Sequence, residues 1–271
     1  MKIAVFGGAG RAGGALVQLA TQRGHSVRAL VRGRSDPGSP LAHVEVVSGD
    51  AFDADAVART IAGADVVVST LGGYRGPESI SAGTANIVTA MRADGPDRLV
   101  VLQGFHIDFP GDPGNPAKTV VRAFLALRCR PLLAHGEALG ELLRATDDLA
   151  WTLIRIPRIV NGSTSGRAVT GRFALGPIAS VRVGDAASTL LELAETVAHL
   201  REAPMLFTPR WIDRKRVLLR AELPASDQSA RRDDREGEVW SMSPQSLLEH
   251  DSDASANRTR KPLAHQGCRH P

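Results

Sequence analysis

The chain has 271 residues, 43% of them apolar and 23% charged, with a formal net charge of +4. That is an ordinary globular composition with length for one large domain or two small ones. It holds only two cysteines, Cys129 and Cys268, without metal-type spacing, so a disulfide framework or zinc site is not expected and a reducing compartment fits. The basic excess is scattered and aromatic side chains are few, so neither a nucleic-acid surface nor a base-stacking ladder is expected. No window approaches the roughly 18 uncharged apolar residues of a membrane span. The opening run Ile3–Phe6 is too short for a signal core, so a cytoplasmic protein is expected.

Short apolar runs alternate with helical patterns through the first 200 or so residues. Ile3–Phe6 reads as a strand and Arg11–Arg23 as a helix with Leu16, Leu19 and Ala20 on one face. Strands follow at Val27–Val31, Val44–Val47 and Ala64–Ser69, with a helix at Asp53–Ala62. Ser79–Arg92 is helical and Arg98–Leu102 is a fifth strand. Near-continuous valine and leucine runs suit a parallel sheet covered on both faces. The alternation predicts an α/β, doubly wound Rossmann-type sheet with helices on both faces.

Gly104–Pro116 is rich in Gly and Pro and reads as a loop at the carboxyl end of the fifth strand, the edge where open α/β sheets bind ligands. Helical patterns run over Ala117–Leu127 and Leu133–Thr146. Trp151–Ile156 is a sixth strand stopped by Pro157, with Trp151 assigned to the core. Val160–Pro177 reads as loop with room for a small strand, and Asp185–His199 as a helix with Asp185 as its N-cap. From Arg210 to Pro271 apolar clusters are few, Val217–Leu219 and Ser246–Leu248 being the short exceptions. Such a segment buries too little surface to offset its ordering entropy. The expected organisation is a cofactor domain over 1–207, with a substrate-side region at about 104–180, and a disordered tail over 208–271.

Directly after the first strand the chain reads Gly7-Gly8-Ala9-Gly10-Arg11-Ala12-Gly13. A glycine-rich turn between strand and helix fits a dinucleotide pyrophosphate: Gly7 for the turn, Gly10 for close approach of the backbone, Gly13 for helix–strand packing. The N–H groups at the start of the helix, from Arg11 and Ala12 onward, then face the phosphates. An NAD(H) site normally carries an acidic residue roughly 20 positions beyond the glycines, for the ribose 2′-hydroxyl. Here that strand ends Val31-Arg32-Gly33-Arg34, so Arg32 is placed to pair with a 2′-phosphate, with Arg28 or Arg34 assisting. NADP(H) is therefore expected over NAD(H); Asp36, slightly late in a Ser/Pro/Gly loop, is a turn former. After the third strand, Asp50 and Ala51 either meet the adenine or form a turn. After the fourth, Thr70, Leu71 and Gly72 let backbone lie along a ribose.

With these residues placed, the chain resembles the atypical short-chain dehydrogenase/reductase superfamily, in its NAD(P)H-binding, NmrA-like and flavin-reductase-like branch. The matching stretches are KIAVFGGAGRAGG, VRALVRG, VVSGDAFD, GADVVVSTLGG and WTLIRIPRIVNG. The resemblance covers about 1–207, where a short final strand is expected, and implies an NADPH-dependent reductase of a small flavin, quinone or carbonyl acceptor. A non-catalytic, NAD(P)H-sensing regulator is the alternative. The family's Tyr-x-x-x-Lys pair is absent: the single tyrosine, Tyr74, is followed four places on by Glu78. Gln103-Gly104 stands where relatives carry a Ser or Thr pair, which puts Gln103 beside the nicotinamide.

His106, just beyond Gln103, reads either as a loop histidine exposed to water or as the candidate proton donor, since an unperturbed imidazole titrates near 6.5. His135 is a second candidate. Arg155 is assigned to structure; Arg158 is open between an acidic substrate and a strand-end role. No metal site is expected, and either a monomer or a homodimer is compatible with the sequence.

Overall fold

The computed structural model describes residues 1–33, 40–72 and 76–209. Among these residues the strands are β1 (Lys2–Phe6), β2 (Ser26–Val31), β3 (Glu45–Ser48), β4 (Val66–Ser69), β5 (Arg98–Gly104), β6 (Ala150–Ile156), β7 (Arg158–Val160), β8 (Val169–Gly171), β9 (Ser180–Arg182) and β10 (Met205–Phe207). The helices are α1 (Arg11–Gln22), α2 (Ala54–Ile61), α3 (Thr84–Asp94), α4 (Pro116–Arg128), α5 (Arg130–Arg144) and α6 (Val183–Glu195). The main sheet runs in the order β3-β2-β1-β4-β5-β6-β10-β8, while β7 and β9 pair separately. Every contact in the main sheet is parallel except β10 with β8.

The chain steps outward from β1 to β3, then returns to β4 and steps the other way. That reversal opens a crevice at the carboxyl ends of β1 and β4. The register keeps the strand ends level there: Phe6 pairs with Leu30 and Ser69, and Val31 with Ser48. Turns leaving β1, β2, β3 and β4 therefore converge on one edge.

Because successive strand residues point to opposite faces, apolar residues at every position bury both. Ala4, Phe6, Val67, Val101 and Leu153 pack with Val57, Ile87 and Leu139 from α2, α3 and α5. Ile3, Val5, Val68, Val100 and Ile154 pack on the other face with Leu16 and Val17 of α1 and Leu190 and Leu191 of α6. The doubly wound fold expected from the sequence is the one observed, including the short final strand.

Two local readings need correction. The helix expected from Ser79 begins as a π-turn over Ser79–Gly83, and α3 starts at Thr84. A Cβ at Gly83 would lie 3.0 Å from Ala51 Cβ and 3.2 Å from Leu71 Cδ1, so the turn is wedged against the ends of β3 and β4. Asp185 does not cap α6, which begins at Val183. Instead its buried carboxylate accepts hydrogen bonds from Ser165 and from the Thr208 hydroxyl (2.7 Å). Thr208 also donates its N–H to Ser180 O at 2.9 Å. The expectations for Arg34, Asp36, Tyr74, Cys268 and the tail from Arg210 lie outside the described residues.

Candidate dinucleotide site

Gly7 leaves β1 at φ 80°, a conformation that side chains disfavour, and a Cβ there would stand 2.7 Å from Thr70 Oγ1. A Cβ on Gly13 would collide with the Gly7 carbonyl oxygen and with Thr70 Oγ1. Gly10 N–H donates to Gly7 O at 2.9 Å, and Gly14 N–H to Gly10 O at 2.7 Å, which closes the turn and starts α1. Thr70 fixes the far side: its hydroxyl donates to Phe6 O and Gly7 O, both at 3.1 Å. The Thr70 hydroxyl thus serves the turn itself, leaving backbone at Leu71 and Gly72 to border a ligand.

The start of α1 lacks the side-chain cap that α2 and α4 carry. Asp53 caps α2 by accepting from Asp55 and Ala56 N–H, and Asn115 caps α4 by accepting from Lys118 N–H. The α1 N-cap is Gly10, with no side-chain cap and no acidic residue in the first turn. An uncapped helix start presents its N–H groups and positive dipole end to whatever fills the crevice. The residues present therefore fit a pyrophosphate: the cradle is one that side chains would fill, and it lacks an internal anion. Ala12 is nearly buried against the core, whereas Arg11 is exposed and donates to Asn161 Oδ1 at 2.7 Å. Arg11 thereby joins the glycine turn to the segment after β7, a link that the spacing of the sequence could not reveal.

At the end of β2 the Arg32 side chain is 71% exposed, and its Nε lies 3.9 Å from Asp50. Asp50 Oδ1 accepts from Phe52 N–H at 3.1 Å, which is the turn role. Ala51 is buried, its carbonyl accepting from Asn86 at 2.9 Å. Arg28 does not assist Arg32. It points to the far end of the sheet and donates to Arg59 O (3.1 Å) and Ala62 O (2.6 Å) at the close of α2.

On the β5 side, buried Gln103 donates its amide to Leu71 O at 2.5 Å and ties the ends of β4 and β5 together. His106 folds inward and is only 6% exposed. Its Nδ1 lies 2.5 Å from where a Gly104 Cβ would be, and its Nε2 2.8 Å from a Gly136 Cβ, so both glycines make room for the ring. Nε2 has no hydrogen-bond partner among the described residues. Burial, reinforced by the Arg122 and Lys118 cations, pushes His106 down to about 4. The ring is neutral at pH 7, so the expectation of a donor at an ordinary titration point fails on burial. The second candidate, His135, is half-buried, with Nδ1 2.8 Å from Ser81 Oγ.

The loop after β5 is held by an ionic clasp that the sequence did not disclose. Arg155, fully buried on β6, reaches both oxygens of Asp112 (2.5 and 2.6 Å) and donates to Ile107 O at 2.7 Å. Lys118 adds contacts to Asp112 at 3.0 Å and Asp108 at 2.5 Å. Burial alone would raise the Asp112 carboxyl; hydrogen bonds from Arg155 and Lys118 outweigh it and hold it at about 2. Arg155 is structural, as expected, whereas Arg158 after Pro157 is exposed. Among the described residues no helix is long and apolar enough to cross a membrane.

Fold and crevice are those of a Rossmann-type, doubly wound α/β protein with a dinucleotide-type glycine turn. The sequence pattern of the NAD(P)H-binding family matches residues 7–196, and the chain belongs to that family. It is 26% identical over 187 residues to the UPF0659 protein C216.03 of Schizosaccharomyces pombe, covering 63% of this chain and 76% of that one. In structure it is similar to ChuY, an anaerobilin reductase from Escherichia coli O157:H7 (TM-score 0.62, 21% identity, 77% and 98% coverage). It is also similar to SP1627, a proposed NADH-flavin reductase from Streptococcus pneumoniae (TM-score 0.58, 24% identity, 77% and 100% coverage).

Proposed function

We propose that the protein is an NADPH-dependent reductase that passes hydride to a small flavin, quinone or carbonyl acceptor without a Tyr-x-x-x-Lys pair. The observation that carries this reading is the uncapped start of α1 in a glycine cradle, with a basic residue at the end of β2. Backbone from Gly7 and Gly10 to Gly13, including Arg11 and Ala12, holds the pyrophosphate. Arg32 pairs with the 2′-phosphate, and the turn that Asp50 closes onto Phe52 N–H borders the adenine. Backbone at Leu71 and Gly72, positioned by Thr70, lines the ribose, and Gln103 holds the nicotinamide side of the crevice. When bound, the reduced nicotinamide supplies the hydride. The cofactor domain spans residues 1–207, and its region at about 104–180 forms the acceptor side.

The anaerobilin reductase and flavin reductase among the structural neighbours support a reductase. The neutral, enclosed His106 favours acceptors that take their proton elsewhere. It also lends weight to a second reading, a cofactor-sensing regulator that performs no turnover. The purified protein is expected to oxidise NADPH faster than NADH with FMN or a small quinone. Tight NADPH binding without turnover across that panel would replace the reductase reading with the sensor.

A further inference from the structure

Ser81 and His135 come from distant parts of the chain and meet at 2.8 Å, Oγ to Nδ1. Ser81 lies in the π-turn, a feature that often marks functional positions in helices. Two residues on, Gly83 is wedged against Leu71 at the end of β4. His135 precedes Gly136, which packs on His106 just after β5. The segments that carry the pair therefore pack on residues at the ends of β4 and β5, where an open α/β sheet presents its ligand. Both side chains are half-buried, so neither is sealed in the core.

We propose that Ser81 is the proton donor of this site and His135 its positioning and reloading partner, so that carbonyl compounds, and not only flavins, are substrates. The proposal rests on the reductase reading. In the step, hydride from the reduced nicotinamide forms a C–H bond at the carbonyl carbon, and the C=O π pair moves to oxygen. That oxygen takes the Ser81 hydroxyl proton, Ser81 Oγ takes the His135 Nδ1 proton, and His135 Nε2 takes a proton from water. The products are the alcohol, oxidised nicotinamide and hydroxide, and the histidine has changed tautomer without net charge. Histidine suits this relay because its two nitrogens can pass a proton through the ring. A flavin accepts hydride at a ring nitrogen and draws its proton from solvent, so it does not need the pair.

The test compares NADPH-driven reduction of an aromatic aldehyde and of FMN by the full chain and its S81A, S81T and H135N forms. S81A and H135N are expected to lose on the order of 100-fold in kcat on the aldehyde. Both should keep FMN turnover and the KM for NADPH within about twofold. S81T, which retains the hydroxyl, should restore aldehyde reduction. Aldehyde turnover that survives S81A, or that falls in parallel with FMN turnover, overturns the assignment and makes the pair structural. A wild type that reduces FMN but no aldehyde overturns it too, while leaving the reductase reading standing. A wild type that binds NADPH and reduces neither probe removes the reductase reading and the donor role together.

Discussion

The two ends of the crevice are built by opposite means. At the α1 end, side chains have been removed: Gly7, Gly10 and Gly13 let backbone carbonyl, hydroxyl and N–H groups come within contact of one another. At the β6 end, charged side chains have been carried inside, and Arg155, Asp112 and Lys118 bind the loop after β5 to the sheet. A cradle of backbone groups can recognise a phosphate without committing a charge of its own. A loop without regular structure needs fixed partners, and the clasp supplies them. The α1 end is thus set by close backbone packing, whereas the β6 end is held by paired ions.

The clasp is the place where this contrast breaks most visibly. Asp112→Ala leaves the Arg155 guanidinium buried without its carboxylate and is expected to cost about 3–5 kcal/mol of unfolding free energy. Chemical denaturation checks it; a loss below about 1 kcal/mol would mean that the clasp is ornamental.

Acid should expose the same end in two stages. His106 is held near 4, below the ordinary 6.5, so the unfolded chain takes up its proton first as the pH falls. Stability is therefore unaffected by His106 above about pH 6.5 and falls between there and pH 4, by about 3 kcal/mol at most. Asp112 is held at about 2, below its ordinary 3.8. Its contribution is present above about pH 4 and drains as the pH drops towards 2, on the order of 2 kcal/mol. His106→Phe should erase the first stage and keep the second in a pH series of denaturation curves. A first stage that persists in that variant assigns it to another group.

The same contrast explains what could be read in advance. Strand β4 and the glycine turn are local: a valine run and three glycines at fixed spacing carry their own physical reason. The place of Arg32 just past the end of β2 was legible too, because the strand before it is a local apolar run. The clasp was not, because Asp112 sits in a Pro/Gly loop where an aspartate also suits a turn, and its partner is 43 residues away. The inward fold of His106 depends on room made by Gly136 on another helix, so its sequence neighbours suggested an exposed loop histidine. Ser81 read as one more helical residue, since nothing local announces a π-turn or a histidine 54 positions on.

The central claim, that this crevice holds a dinucleotide and prefers the one carrying a 2′-phosphate, is tested most directly by titrating NADPH and NADH into the wild type and Arg32→Glu. The wild type is predicted to bind NADPH more tightly, and the substitution to weaken NADPH by about 10- to 100-fold while leaving NADH within a few-fold. Equal loss of both dinucleotides, or NADPH affinity unmoved by the substitution, would contradict the account.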